Sequence, residues 1–132
     1  MKRVVFDFHR VIYDPKRGEV NPGVFNIIES LYKQNISLYI FTNSSLSVLE
    51  RNDKKKPFLK YFKDVIHKYS KPYPESFEEL FSTLECDATE VIIVDDDVNV
   101  IEQAQEYDIL TVKYINASEL KNKLKEILGV NI

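Results

Sequence analysis

Residues 91–104 read VIIVDDDVNVIEQA: four β-branched apolar residues, three aspartates, then Val98, Ile101 and Ala104 at helical spacing. An apolar run this short suits a strand covered on both faces, as in a parallel sheet. The aspartates then fall at the point where the strand gives way to a helix.

The same grammar recurs on either side. Residues 4–6 (VVF), 37–41 (SLYIF) and 109–112 (ILTV) are further short apolar runs, and residues 64–67 (DVIH) form a weaker one that suits an edge strand. Between them the apolar residues switch to helical period. Val24, Ile27, Ile28 and Leu31 share one face, behind Asn21 as an N-cap and Pro22 at the first helical position. Phe77, Leu80, Phe81 and Leu84 repeat the pattern after Pro74. Leu120, Leu124, Ile127 and Leu128 close the chain, with Ser118 as the expected cap. Residues 44–62 are less regular: Leu46, Val48 and Leu49 suggest a helix that Pro57 ends or restarts. Strands alternating with helices predict an α/β fold, a three-layer doubly wound parallel sheet with helices on both faces.

At 132 residues the chain is expected to form a single domain, 1–132. Apolar residues at 44% and charged residues at 30% are those of an ordinary soluble protein. Cys86 stands alone, so no internal disulfide can form, and a lone thiol fits a reducing compartment. It reads as a small apolar filler. Met1-Lys2-Arg3 leads directly into VVFDF, too short an apolar stretch for a signal peptide. No segment approaches the ~20 apolar residues that span a bilayer. A cytoplasmic location is therefore expected, with no membrane partner. The formal charge of −3 implies no particular partner. The basic run Lys54-Lys55-Lys56 lacks interleaved aromatic residues and reads as a solvated loop, so no nucleic-acid partner is evident.

In open parallel sheets the chemistry collects at the carboxyl ends of the strands. Here those ends carry Asp7, then Thr42-Asn43, then Asp95-Asp96-Asp97, with Lys71 in a loop just before a helix. Read singly, Asp7 and Thr42 also suit turn or helix caps and Lys71 a surface lysine. The aspartate run also suits a helix N-terminus, a role compatible with metal binding. Their shared place in the fold is what singles them out. Oxygen-only ligands favour a hard cation such as Mg²⁺. A dication, a lysine and a hydroxyl around one point can neutralise and orient a phosphoryl group. A carboxylate can then attack it to form an aspartyl-phosphate.

The set resembles the haloacid dehalogenase-like hydrolase superfamily over nearly the whole chain. VVFDFHRVIYD is similar to the first family motif, with Asp7 in the nucleophile's place. YIFTN supplies Thr42 for the second, and KPYPESFEEL supplies Lys71 for the third. VIIVDDDVNVIEQA matches the fourth, with Asp96 in the metal-binding position and Asp95 and Asp97 outside the ligand set or spare. Receiver domains of two-component signalling resemble the chain less, because their acidic pair follows the first strand. The resemblance implies a Mg²⁺-dependent hydrolase of phosphate esters. Asp7, His9, Thr42 and Lys71 would be catalytic, and Thr42, Asn43 and Lys71 would bind substrate. The metal ligands would be Asp7, Asp96 and the carbonyl of His9.

Two departures matter. The family's phosphatases carry a second aspartate two residues after the nucleophile, which protonates the leaving oxygen and later activates water. Here His9 takes that place, and Arg10 stands where glycine is usual. An imidazole titrates near neutrality and can move a proton, although a neighbouring dication disfavours its charged form. Asp14 is a weaker substitute. The alternative reading is therefore a phosphate-sensing or protein-binding module that has lost turnover. Dehalogenation, which generally dispenses with metal, ranks third. Residues 8–22 leave room for a short flap and residues 43–70 for a helix or two, so no cap domain is expected. In the family, an open crevice goes with large phosphorylated substrates, macromolecules included, or with a neighbouring subunit of an oligomer as lid.

Overall fold

In the computed structural model, which describes residues 2–132, the elements run β1 (Arg3–Phe6), β2 (Tyr13–Asp14), β3 (Glu19–Val20), α1 (Pro22–Lys33), β4 (Ser37–Phe41), α2 (Leu46–Lys55), β5 (Asp64–Ile66), α3 (Pro74–Leu84), β6 (Val91–Asp95), α4 (Val98–Glu106), β7 (Leu110–Lys113) and α5 (Ala117–Leu128). The five apolar runs form one parallel sheet in the order β5-β4-β1-β6-β7. The first strand is central, and it is flanked by β4, which leads into Thr42, and by β6, which ends at Asp95. The weak run at 64–67 is an edge strand, as its composition predicts.

Strand parity sorts the core into two halves. Val4, Phe6, Leu38, Ile40, Ile92 and Val94 face one way, onto α1, α2 and α5. Val5, Tyr39, Phe41, Val91 and Ile93 face the other way, onto α3 and α4. Both faces are buried, which is why these strands read as continuous apolar runs rather than alternating ones.

Helix starts follow local chemistry. Asn21 Oδ1 accepts the Gly23 and Val24 N–H groups and Pro22 opens α1, as expected. The cap of α5 is Asn116 and not Ser118: its Oδ1 accepts the Glu119 N–H at 2.9 Å, and Ser118 already lies inside the helix. Both residue types cap well, so the choice fell to tertiary packing. Val98 is the other exception. It sits on the expected helical face yet remains 49% exposed, because it lines an open cleft at the start of α4. The Lys54–Lys56 run is not a loop. Lys54 and Lys55 form the last turn of α2, where cations complement the helix dipole, and the Lys56 ammonium lies 4.3 Å from the centre of the Phe25 ring.

Among the described residues no separate cap domain is inserted. Between β1 and α1 the flap is a tight hairpin of β2 and β3, closed by Gly18 at φ +67°. Its base is pinned by Phe8, Val11 and Ile12, all fully buried. Between β4 and β5 lie α2 and one 3₁₀ turn at Leu59–Tyr61, whose approach is fixed by Asp53 Oδ1 accepting the Phe58 and Leu59 N–H groups. No helix among the described residues is long and apolar enough to cross a membrane.

Candidate active site

Asp7 leaves β1 with its N–H still donated to Val94 O, at 2.9 Å, so the sheet holds its backbone. Its carboxylate is buried and accepts the Phe8 N–H on Oδ1 at 2.8 Å. Parity then decides what Asp7 meets. Asp7 follows Val5 and Asp95 follows Ile93, so both carboxylates emerge on the α3 side of the sheet, and the loop entering α3 carries Lys71.

Lys71 is buried at 7% exposure, and all its donors have partners. Its Nζ donates to Asp95 Oδ2 at 2.7 Å, to Phe41 O at 2.7 Å and to Asp7 Oδ1 at 3.1 Å. An ammonium offers three donors, so the site uses each one. Asp95 in turn accepts the Asp97 N–H on Oδ1 at 3.0 Å. Its role as a counter-ion is legible only from parity and burial, since in the sequence it is one of three adjacent aspartates.

Asn43 sets the lysine's backbone. Its Oδ1 accepts the Lys71 N–H at 2.7 Å and its Nδ2 donates to Lys71 O at 3.2 Å. One N–H and one lone pair of the amide are thus used on Lys71, and the second N–H of Nδ2 is left to donate. Nothing in the sequence announces this bracket, because the partners lie 28 residues apart. Thr42 is buried at the end of β4, where its N–H is donated to Ile66 O and its Oγ1 accepts the Ser44 N–H at 2.9 Å. That bond is cap-like, but the cap of α2 itself is Ser45.

These groups line one cleft of about 540 Å³ with His9, Arg10, Asp96 and Asp97. His9 is exposed and its ring stacks on Tyr13, 6.1 Å between centres. Arg10 adopts φ +67°, the left-handed conformation that a glycine takes without cost.

Carboxylate oxygens of Asp7, Asp95 and Asp96 lie within 4.8 Å of one another. Four carboxylates, those of Asp7, Asp95, Asp96 and Asp97, against the two cations Lys71 and Arg10 leave the cleft with excess negative charge. Burial pushes the Asp7 carboxyl up to about 7, against the pull of Lys71 and with help from Asp95 and Asp96. Burial also raises Asp96, and the charge of Asp95 adds to it. The all-oxygen donor set and uncompensated charge fit a hard divalent cation. Asp95 has both oxygens engaged, by Lys71 and by the Asp97 N–H, whereas Lys71 and Phe8 both bond only Oδ1 of Asp7, so Asp7 and Asp96 are the side chains better placed for one.

Among solved structures, the fold is similar to a predicted HAD-like family hydrolase from Porphyromonas gingivalis (TM-score 0.76, 14% identity, 99% of each chain covered). It is also similar to L-2-haloacid dehalogenase from Xanthobacter autotrophicus with chloropropionic acid covalently bound (TM-score 0.73, 14% identity, 96% of this chain and 83% of that one). A third likeness is to the Bacillus subtilis protein YfnB, described as a HAD-hydrolase and bound to magnesium (TM-score 0.68, 20% identity, 84% of this chain and 57% of that one). No curated protein sequence matches at a significant level. Residues 3–114 match the haloacid dehalogenase-like hydrolase family, and with that match, over the residues that build the sheet and its cleft, the chain belongs to this family.

Proposed function

We propose that the chain hydrolyses phosphate monoesters in the presence of Mg²⁺, with Asp7 as nucleophile. The observation that carries this reading is the convergence of Asp7, Asp95 and Asp96 around the buried Lys71 ammonium. Asp7 and Asp96, with the main-chain carbonyl of His9, would hold the cation. When bound, it would stabilise the Asp7 carboxylate and offset charge on the phosphoryl oxygens.

The chain's own groups supply the rest. Phe8 N–H and Lys71 Nζ fix Asp7 Oδ1, which sets the plane of the carboxylate and frees the other oxygen for phosphorus. Attack forms the Asp7–phosphoryl bond as the bond to the ester oxygen breaks, and that oxygen takes a proton from His9 or from water. Water then cleaves the acyl phosphate, releasing inorganic phosphate and restoring Asp7. The Thr42 hydroxyl donates to a phosphoryl oxygen during both steps, and the Lys71 ammonium, held beside Asp7, offsets the phosphoryl charge without leaving its three partners. His9, at the acid/base position of the family, is the group on which turnover of poor leaving groups depends.

That same residue favours the second reading, a phosphate-binding module without turnover. A dehalogenase would need no cation to offset a halide, and the acidic cluster argues against it. Aryl and alkyl phosphates assayed with and without Mg²⁺ separate the readings. Mg²⁺-dependent release of phosphate from the aryl ester supports the phosphatase. Release from neither ester, with phosphate still binding, supports the module.

A further inference from the structure

Beside the cleft, and continuous with it through Arg10 and Asp96, lies a second cavity of about 720 Å³. It opens between the flap turn and the loop joining β7 to α5. Lys16 comes from the flap and Tyr114 and Ile115 from the loop, while Asn21 marks the start of α1. The two helices meet closely there: a Cβ on Gly23 would stand 2.7 Å from Ala117 Cβ. The phosphoryl chemistry described above makes no use of this cavity.

Its walls are of mixed character. Ile115 is 62% exposed, an aliphatic side chain left open to solvent on the cavity wall. Tyr114 presents its ring, and its hydroxyl oxygen accepts from Asn21 Nδ2 at 3.2 Å, which leaves the phenolic hydrogen to donate. Arg10 and Lys16 add two cations; among the described residues neither makes a direct ion pair, although the charge of Arg10 is felt by the Asp96 carboxylate. Two carboxylates also line the space, and only Asp96 is offset when the cation assigned to it is bound, which leaves Arg10 and Lys16 against the single charge of Asp14. Asp14 Oδ1 accepts the Lys16 N–H within the flap turn, and Asp96 belongs to the acidic cluster.

We propose that this cavity receives the leaving group of the ester, and that the leaving group is a small, partly apolar body bearing an anion of its own, a carboxylate or a second phosphate. The inference rests on the phosphatase reading of the adjoining cleft. A phosphoryl group seated at Asp7 directs the rest of its ester past Arg10 and Asp96 into this space. The volume lies within the range of about 300–1,000 Å³ usual for small-molecule sites. An apolar body covers Ile115 and Tyr114, and its anion meets Arg10 and Lys16. The capless crevice is thus matched to a small metabolite rather than to a phosphorylated macromolecule.

The test compares phenyl phosphate with 4-carboxyphenyl phosphate on the native protein and on Lys16→Met and Ile115→Ser. The native protein should favour the carboxylated ester in kcat/KM. Lys16→Met should reduce that preference roughly fivefold, chiefly through KM, the scale of one exposed charge pair. Ile115→Ser should weaken both esters. Binding of 4-hydroxybenzoate to the metal-free protein gives a readout independent of turnover: the amide signals of Lys16, Ile115 and Asn116 should shift in NMR spectra, and less so in Lys16→Met. Turnover of both esters with equal kcat/KM and no shifts would overturn the subsite and leave the phosphatase reading intact. No turnover of either ester, with 4-hydroxybenzoate still bound in a Lys16-dependent way, would overturn the phosphatase reading and retain the subsite.

Discussion

The Lys71 ammonium stands closer to Asp95, at 2.7 Å, than to Asp7, at 3.1 Å. The buried cation therefore has a permanent partner in Asp95, which leaves Asp7 only partly neutralised and so available to another cation. Removing the lysine strands both carboxylates in the interior. Lys71→Met should destabilise the metal-free protein at neutral pH by about 3–5 kcal/mol, the scale seen when one member of a buried ion pair is lost. Denaturant unfolding measures it, and a loss below about 1 kcal/mol would mean the pair is effectively solvated.

Asp7 also fixes a pH dependence. Its folded value of about 7 lies above the ordinary 3.8, so between those values the folded state holds a proton that the unfolded state has released. Stability from this group is therefore complete at the acid end and is lost as pH rises from about 4 to 7. In metal-free protein, the melting temperature of the native chain relative to Asp7→Asn should fall across that window and level off above it. A difference that rises with pH would show that Lys71 outweighs burial.

Mg²⁺ should raise the melting temperature in a dose-dependent way, by about 2.7 kcal/mol of added stability at a hundredfold excess over its dissociation constant. Asp96→Asn should remove most of that shift, since it deletes the one carboxylate of the cluster that Lys71 does not touch. Asp97→Asn should remove little. Asp97 Oδ1 is spent on the Asn99 N–H at the start of α4, so its loss should appear as a modest fall in stability instead. Equal Mg²⁺ responses in native and Asp96→Asn protein would place any cation elsewhere.

Much of this was legible before any coordinates. The five apolar runs, their order and the convergence of Asp7, Thr42, Lys71 and Asp96 at one sheet edge follow from strand length and the strand-end rule. Asp95 reads from the sequence as either outside the ligand set or spare, and its place against Lys71 fits the first. Counting along β6 from Val91 and Ile93 puts it on the Lys71 side, but parity is readable only once the strand's end is known to within one residue. The Asn43–Lys71 bracket and the second cavity depend on loops that meet only in three dimensions, and no local pattern encodes them. Arg10 was visible as an oddity. Its φ of +67° explains why glycine suits that position.

That backbone bears on His9. His9→Asp restores the family's acid/base, and should raise turnover of alkyl phosphates more than of aryl phosphates, because an alkoxide needs protonation most. If His9 transfers no proton, the gain should approach the ~10²–10⁴-fold typical of general acid–base catalysis. Arg10 can pair with the new carboxylate, so His9→Asp with Arg10→Gly should be measured beside it. Glycine also removes the left-handed strain, about 1 kcal/mol. Equal effects on both ester classes would mean that His9 shapes the cleft and moves no proton.

The central claim is that Asp7 carries the phosphoryl group. Native protein mixed with an aryl phosphate and Mg²⁺, quenched in acid within one turnover and analysed by peptide mass spectrometry, tests it most directly. A phosphoryl adduct should appear on Asp7, require Mg²⁺, decay on longer incubation and be absent in Asp7→Asn. Phosphate released with no adduct on Asp7 at any time, or an unchanged release rate in Asp7→Asn, would contradict the account.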